Sequence, residues 1–272
     1  MEKFKFYFKE FAVFVFQEAR ACVFAGSFLF LLIITNYVHL PFIGRADFLF
    51  LAAILIQVIM IVTKLETIDE AKTILLFHVI GLVLELYKTH PNIGSWVYLD
   101  LGFFHIATVP LYSGFMYASI GSYIVQSWRI FKLQLKNPPP YAISLVLSIL
   151  IYANFFTNHF LPDVRWFLIL FVLVVFWKTK IEYTVRTMAR RMPVALSFVL
   201  IAFFIWIAEN IGTFTGAWQY PYQVTAWSAV SFHKVSSWSL LVILSFILIA
   251  YLKHVKEQRK EKEIVVNIYT LK

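Results

Sequence analysis

The stretch VALSFVLIAFFIWIAENIGTFTGAWQY, residues 194–220, runs from Val194 to Ala208 without a charge and then meets Glu209, Asn210 and a Trp-x-Tyr pair. An apolar run of this kind suits a helix crossing a hydrocarbon core of roughly 30 Å, at about 1.5 Å of rise per residue. The polar cluster at its end marks where such a helix would leave the lipid.

The rest of the chain extends the pattern. Of 272 residues, 61% are hydrophobic and 14% charged, whereas soluble domains run near half apolar and a quarter charged. Apolar runs occur at about 21–38, 48–63, 73–87, 101–127, 141–161, 166–182, 194–211 and 229–252. They predict eight transmembrane helices. The run from Trp166 to Trp177 would cover only roughly 18 Å, so that span has to extend through snorkelling Lys178 and Lys180 or thin the bilayer. The first 20 residues, MEKFKFYFKEFAVFVFQEAR, interleave Lys3, Lys5, Lys9 and Arg20 with aromatics, and no small-residue cleavage site follows. They read as an interfacial amphipathic helix rather than a signal peptide.

Charge sets the orientation. Of 24 Lys and Arg, 20 fall in the N-terminus, near 64–72, in 129–140, in 178–193 and in the tail; Arg45, Lys88 and Arg165 lie in the alternate loops, and Lys234 at the eighth run. The positive-inside rule then predicts a cell-membrane protein with both termini in the cytoplasm. The same dispersal in short segments argues against nucleic acid as a partner and for membrane lipid. Cys22 is the single cysteine, so an intramolecular disulfide is excluded.

Comparison of the halves reveals a repeat. Thr35-Asn, Leu40-Pro, Arg45 and Phe48-Leu recur in order as Thr157-Asn, Leu161-Pro, Arg165 and Phe167-Leu; Lys64-Leu-Glu66 recurs as Lys180-Ile-Glu182; and Glu85…Trp96-Val-Tyr98 recurs as Glu209…Trp218-Gln-Tyr220. Four spans per copy keep one orientation, so the repeat is parallel. The expected fold is all-α, an eight-helix transmembrane bundle of two tandem four-helix repeats, 21–128 and 141–252. An interfacial helix (1–20), a Pro-rich cytoplasmic linker (129–140) and a basic tail (253–272) complete it.

Ionisable groups inside spans are costly and mark candidate sites. In this topology Glu85, Asp100, His105, His159, Asp163, Arg165, Glu209, Asn210, His233 and Lys234 gather near the outer face. His78 lies two turns below Glu85 on one stripe, and His105, Tyr112, Ser119 and Gln126 repeat every seven residues. Trp96 and Trp218 flank the acids. Glu85 and Glu209 are candidate proton donor and acceptor, with His105 and His233 orienting them; His78, Tyr112, Asn154, His159, Asn210, Trp96, Trp218 and Lys234 are candidate substrate contacts. Glu85, His105, Glu209 and His233 also have the donor types that suit zinc or iron. No Walker loop, GxGxxG, HExxH or histidine box occurs, and no cofactor is implied.

QEARACVFAG from Gln17, FHVIGLVLELYKT from Phe77, GSWVYLD from Gly94, VPLYSGFMYASIGSYI from Val109, YANFFTNH from Tyr152, WIAENIGTFTGAWQYPYQ from Trp206 and SFHKVSSWSLL from Ser231 resemble the bacterial membrane family catalogued as domain of unknown function 817. That resemblance spans nearly the whole chain and implies a multi-pass membrane protein. More distantly, Glu followed by Gly and an aromatic-x-Tyr pair is similar to membrane carotenoid hydratases and cyclases, which implies an isoprenoid substrate. Two main readings follow: an embedded enzyme acting on a lipid or isoprenoid by acid-base chemistry, and a permease for a small polar or anionic solute. A metal-binding membrane protein is the third.

Overall fold

The computed structural model describes residues 2–38 and 40–270. In chain order it contains α1 (Glu2–Ala21), α2 (Val23–Tyr37), α3 (Arg45–Val62), α4 (Ile68–Lys88), β1 (His105–Ile106), β2 (Val109–Pro110), α5 (Tyr112–Ile130), β3 (Gln134–Lys136), α6 (Tyr141–Thr157), α7 (Arg165–Val175), β4 (Lys180–Val185), β5 (Met188–Pro193), α8 (Val194–Phe214) and α9 (Lys234–Thr270). By length and composition α3, α8 and the Lys234–Lys256 part of α9 are fit to cross a membrane, and α1 with α2 would add a fourth if that pair, bent by 70°, is one broken span. α6 and α7 are apolar but shorter. α3 turns Leu51, Leu55, Val58 and Val62 outward. Such a face suits lipid better than water.

Local chemistry sets the helix ends. α3 stops at Thr63, and Lys64 takes a left-handed φ of 59°. Thr67 and Glu70 then form a reciprocal capping box that starts α4, satisfying two backbone donors that the first turn leaves free. Arg45 and Arg165 are the first residues of α3 and α7.

Two departures from the expected all-α fold are strands. At one end of the bundle β3, β4 and β5 form an antiparallel sheet, with Leu135 opposite Ile181 and Ile181 opposite Met192. The expected linker and the expected 178–193 loop are therefore joined by ladder bonds. Glu182 anchors the sheet to Lys136 and Arg191, and buried Glu10 ties α1 to Arg186 and Arg190 of its hairpin. The sixth apolar run ends as helix at Val175, because its last residues feed β4. The Lys64-Leu-Glu66 and Lys180-Ile-Glu182 pair do not share a conformation, since one lies in a turn and the other on a strand.

The second departure lies at the opposite end. The fourth helix begins at Tyr112, not near 101, because residues 103–110 turn back on themselves as the β1–β2 pair. Asp47 holds that turn by accepting the Phe103 and Phe104 amides, and Gly102 supplies a φ of 65° that only glycine adopts without strain.

Apolar packing centres on α9, which touches α5, α6, α7 and α8 and buries nearly every side chain from Leu240 to Ala250. A helix apolar on all sides belongs at a bundle centre. α4 packs on α5 as α8 packs on α9; α2 meets α3 and α5 as α6 meets α7 and α9; and across the halves α2 meets α8 while α4 meets α6. α9 continues past Lys253 to Thr270, so the basic tail begins as its extension; side chains at 259–270 lie outside the described residues.

Candidate functional site

The end of the bundle opposite the sheet carries two buried carboxylates. Glu85, near the end of α4, accepts the Trp96 Nε1–H at 2.8 Å and the Tyr98 hydroxyl at 2.7 Å on one oxygen, and the Tyr117 hydroxyl at 2.8 Å on the other. Glu209, on α8, accepts the Trp218 Nε1–H at 3.0 Å and the Tyr220 hydroxyl at 2.5 Å on a single oxygen. Each acid is thus held by the Trp and Tyr of the Trp-x-Tyr pair that follows it. Burial first, and the neighbouring carboxyl next, push the Tyr98 and Tyr220 hydroxyls well above their ordinary range, so both remain donors at any ordinary pH.

The two Trp-x-Tyr segments also bind each other. Val97 N–H donates to Gln219 O and Gln219 N–H to Val97 O, both at 2.9 Å, which is the closely bonded pair of an antiparallel ladder. The middle residue of one motif faces the middle residue of the other, and the Trp96 and Tyr220 rings meet edge to face at 6.2 Å.

Beside these acids lies a cavity of about 140 Å³ lined by Lys88, His159, Arg165 and Lys234 together with Trp96, Tyr117, Phe155, Tyr220 and Trp238. Lys88 Nζ is 3.1 Å from Asn158 Oδ1 and 2.9 Å from His159 Nε2. Arg165 pairs with Asp163 at 2.8 Å and reaches Ser236. Lys234 Nζ stands 4.5 Å over the Tyr220 ring, and among the described residues no hydrogen bond or ion pair engages it. Burial, then Lys88 and Lys234, hold the His159 imidazole below its ordinary value. Burial alone raises the Asp163 carboxyl, but the Arg165 amide, Asn154 and the Arg165 guanidinium outweigh it and hold that group low.

The candidates divide accordingly. Glu85, Glu209, Trp96, Trp218, His159 and Lys234 come together. Tyr112 adjoins them, buried, and gives its hydroxyl to Ala217 O at 2.7 Å. Asn154 and Asn210 are loop anchors: Asn154 bonds Asp163 and the Val164 amide, and Asn210 bonds Trp206 O and the Val230 amide. His78 sits apart on α4, its ring 4.5 Å from that of Phe115 and its buried Nδ1 without a hydrogen-bond partner among the described residues. His105 and His233 are misplaced by the helix reading. His105 is exposed on β1 and bonds Gly102 O, and His233 is exposed before α9 starts, so neither orients a carboxylate. Among the described residues no group of three or more His, Cys, Asp or Glu is arranged to hold a metal ion; Glu85, His105, Glu209 and His233 do not converge.

Tyr117 and Lys88 are site residues that pattern reading passed over. Tyr117 lies off the seven-residue stripe of α5, but Gly81, one turn before Glu85, marks its place. A Cβ at 81 would lie 2.4 Å from the Tyr117 ring.

With the paired acids and their matched Trp-x-Tyr donors described, the sequence comparisons gain a structural counterpart. The profile of a family described as "Protein of unknown function (DUF817)" matches residues 10–246. This chain belongs to the DUF817 family. The "Uncharacterized protein YoaT" of Bacillus subtilis (strain 168) is 50% identical over 254 residues, covering 93% of this chain and 96% of that relative. No solved structure matches. The segments carrying the DUF817 resemblance in the sequence contain Glu85, Trp96, Tyr98, Tyr117, Glu209, Trp218 and Tyr220, the complete set of acids and donors described above. Neither match bears on an isoprenoid substrate.

Proposed function

We propose that this protein is a multi-pass membrane protein of two tandem four-helix repeats, α2–α5 and α6–α9, and that it is a permease which binds a small anionic solute in the cavity beside Lys234. The repeat is supported by matched helix neighbours in the two halves, by arginine at the first position of α3 and α7, and by the reciprocal Val97–Gln219 bonds, through which a local two-fold axis passes. In that register Lys88 corresponds to Gly212, and Tyr112, the first residue of α5, to Lys234, the first residue of α9. The first position is closed: Trp218 lies against Gly212, where a Cβ would stand 2.0 Å from its ring, and Tyr112 bonds Ala217. The second is open and cationic, giving one site per chain.

The observation that carries the reading is the convergence of Lys88, Arg165 and Lys234 on one cavity, with Asp163 the carboxylate paired directly to one of them. Cations with spare donors attract anions, and low-dielectric walls strengthen that attraction. The acid-base enzyme reading is weaker here, because neither Glu85 nor Glu209 lines the cavity; Trp96, Tyr117 and Tyr220 stand between. In detergent or nanodiscs, small anions should raise the unfolding temperature of the purified protein, with about 2.7 kcal/mol of stabilisation at a hundred times Kd. Lys234→Met should lose that response while folding normally. A Lys234→Met protein that keeps the full response, or a native protein that no anion stabilises, refutes the site. For orientation, a Cys22→Ser background with cysteine placed at 136 or at exposed Ala226 should label from the cytoplasmic side at 136 and from the outside at 226; the reverse pattern overturns the charge-based topology.

A further inference from the structure

The cavity is two-sided, and the sides differ in chemistry. Lys88, Arg165 and Lys234 with His159 supply hydrogen-bond donors and positive charge, whereas Trp96, Phe155, Trp238, Leu84 and Leu241 supply rings and alkyl surface. Inorganic phosphate or sulfate would use only the first set and leave the aromatic wall facing water. Its volume of about 140 Å³ is close to that of engineered protein cavities of roughly 150 Å³ that take up benzene.

The donors are also unevenly committed. Arg165 is engaged by Asp163 and Ser236, and Lys88 by Asn158 and His159. Lys234 has three N–H donors and, among the described residues, no hydrogen-bonded oxygen to receive them, while its Nζ rests over the Tyr220 ring. One uncommitted ammonium next to an apolar wall fits one anionic group joined to an apolar body.

Resting on the anion reading above, we infer that the ligand is a small organic monoanion, a carboxylate on a ring or short chain of about six carbons, with its head at Lys234 and its body against Phe155 and Trp238. A long-chain lipid acid has the same head chemistry but needs more room than the cavity offers.

The test is a binding series on the full chain in nanodiscs, read by thermal shift and calorimetry, with benzoate, hexanoate, acetate, inorganic phosphate, dodecanoate and neutral benzyl alcohol as probes. Benzoate and hexanoate are expected to bind at least ten-fold more tightly than acetate or phosphate, and dodecanoate no better than hexanoate. Phe155→Ala should weaken benzoate several-fold and leave acetate unchanged, and Lys234→Met should weaken both. Should Phe155→Ala fold poorly, the native acetate-to-benzoate ratio alone decides. Phosphate or acetate binding as well as benzoate overturns the organic-anion inference and leaves the anion site standing. Dodecanoate binding best overturns the size limit and so the inference. Benzyl alcohol matching benzoate, or no probe binding, overturns the anion reading itself.

Discussion

Replacing Glu85 tests whether the carboxylate clamp holds this end of the bundle together. Glu85→Leu leaves the Trp96 Nε1–H, the Tyr98 hydroxyl and the Tyr117 hydroxyl without their acceptor, all in a site where Glu85 is only 2% exposed. A buried donor left unmade costs about 1–3 kcal/mol, so three orphans put the loss at roughly 3–9 kcal/mol before relaxation and before subtracting the cost of burying the charge. Glu85→Gln keeps one carbonyl oxygen for Trp96 and Tyr98 and leaves only the Tyr117 O–H without its acceptor, so two of the three orphans are spared. The leucine variant should therefore be less stable than the glutamine variant by at least about 2 kcal/mol, or roughly 30-fold in the unfolding equilibrium. Reversible unfolding in mixed micelles, followed by Trp fluorescence, measures the difference. A leucine variant equal to the glutamine variant, or more stable than the parent, would show that the clamp contributes no net stability and refute the reasoning.

Other perturbations separate the remaining parts. Gly212→Ala puts a Cβ 2.0 Å from the Trp218 ring; overpacking of that kind costs about 1–3 kcal/mol or more, and an unchanged melting temperature would mean that Trp218 moves aside freely. The Asp163 carboxyl is held below its ordinary 3.8, so its contribution is present above that pH and is lost as pH falls below it; Asp163→Asn should flatten the acid limb of a stability profile. The His159 imidazole is held below its ordinary 6.5, and its contribution is likewise complete above 6.5 and lost as pH falls through the lowered value. A bound anion favours the imidazolium, so benzoate should bind more tightly as pH falls below 6.5, with proton uptake, and His159→Gln should remove that slope. Weaker binding on acidification would contradict the placement of His159 at the anion.

Much of the fold is legible in the sequence, because hydrophobic runs and charge breaks are one-dimensional signals. Both ends of α2, α3 and α8 and the starts of α6 and α7 fall within three residues of their apolar boundaries, and each Glu of the Glu…Trp-x-Tyr match holds the Trp and Tyr that follow it. What escaped is long-range. The sheet joins Gln134 to Glu182, a pairing with no local signature because strand periodicity over three residues is indistinguishable from loop. His105 was assigned to a helix since Leu101 to Ile106 is apolar enough to extend the fourth run, yet Asp47, which folds that segment back, sits 56 residues away from Phe103. His105 and His233 therefore looked like site residues by depth and are surface residues by conformation. Lys88 reads in the sequence only as an outer-loop cation, and its place at a cavity depends on Asn158 and His159, supplied by the other half of the chain.

The Val97–Gln219 pair has a consequence for how this protein should be dissected. Its two bonds run from peptide to peptide, and Val97 is 39% exposed, so the fastening is blind to side-chain identity. Alanine scanning across 94–98 and 216–220 would report on the tryptophans and tyrosines and pass over the fastening itself. Proline, which lacks the N–H, or an amide-to-ester exchange at either residue cuts one of the two bonds while leaving the rings in place. The two halves thus share a catch made of two backbone hydrogen bonds, one that answers to water's access to the main chain and that no side-chain substitution addresses directly.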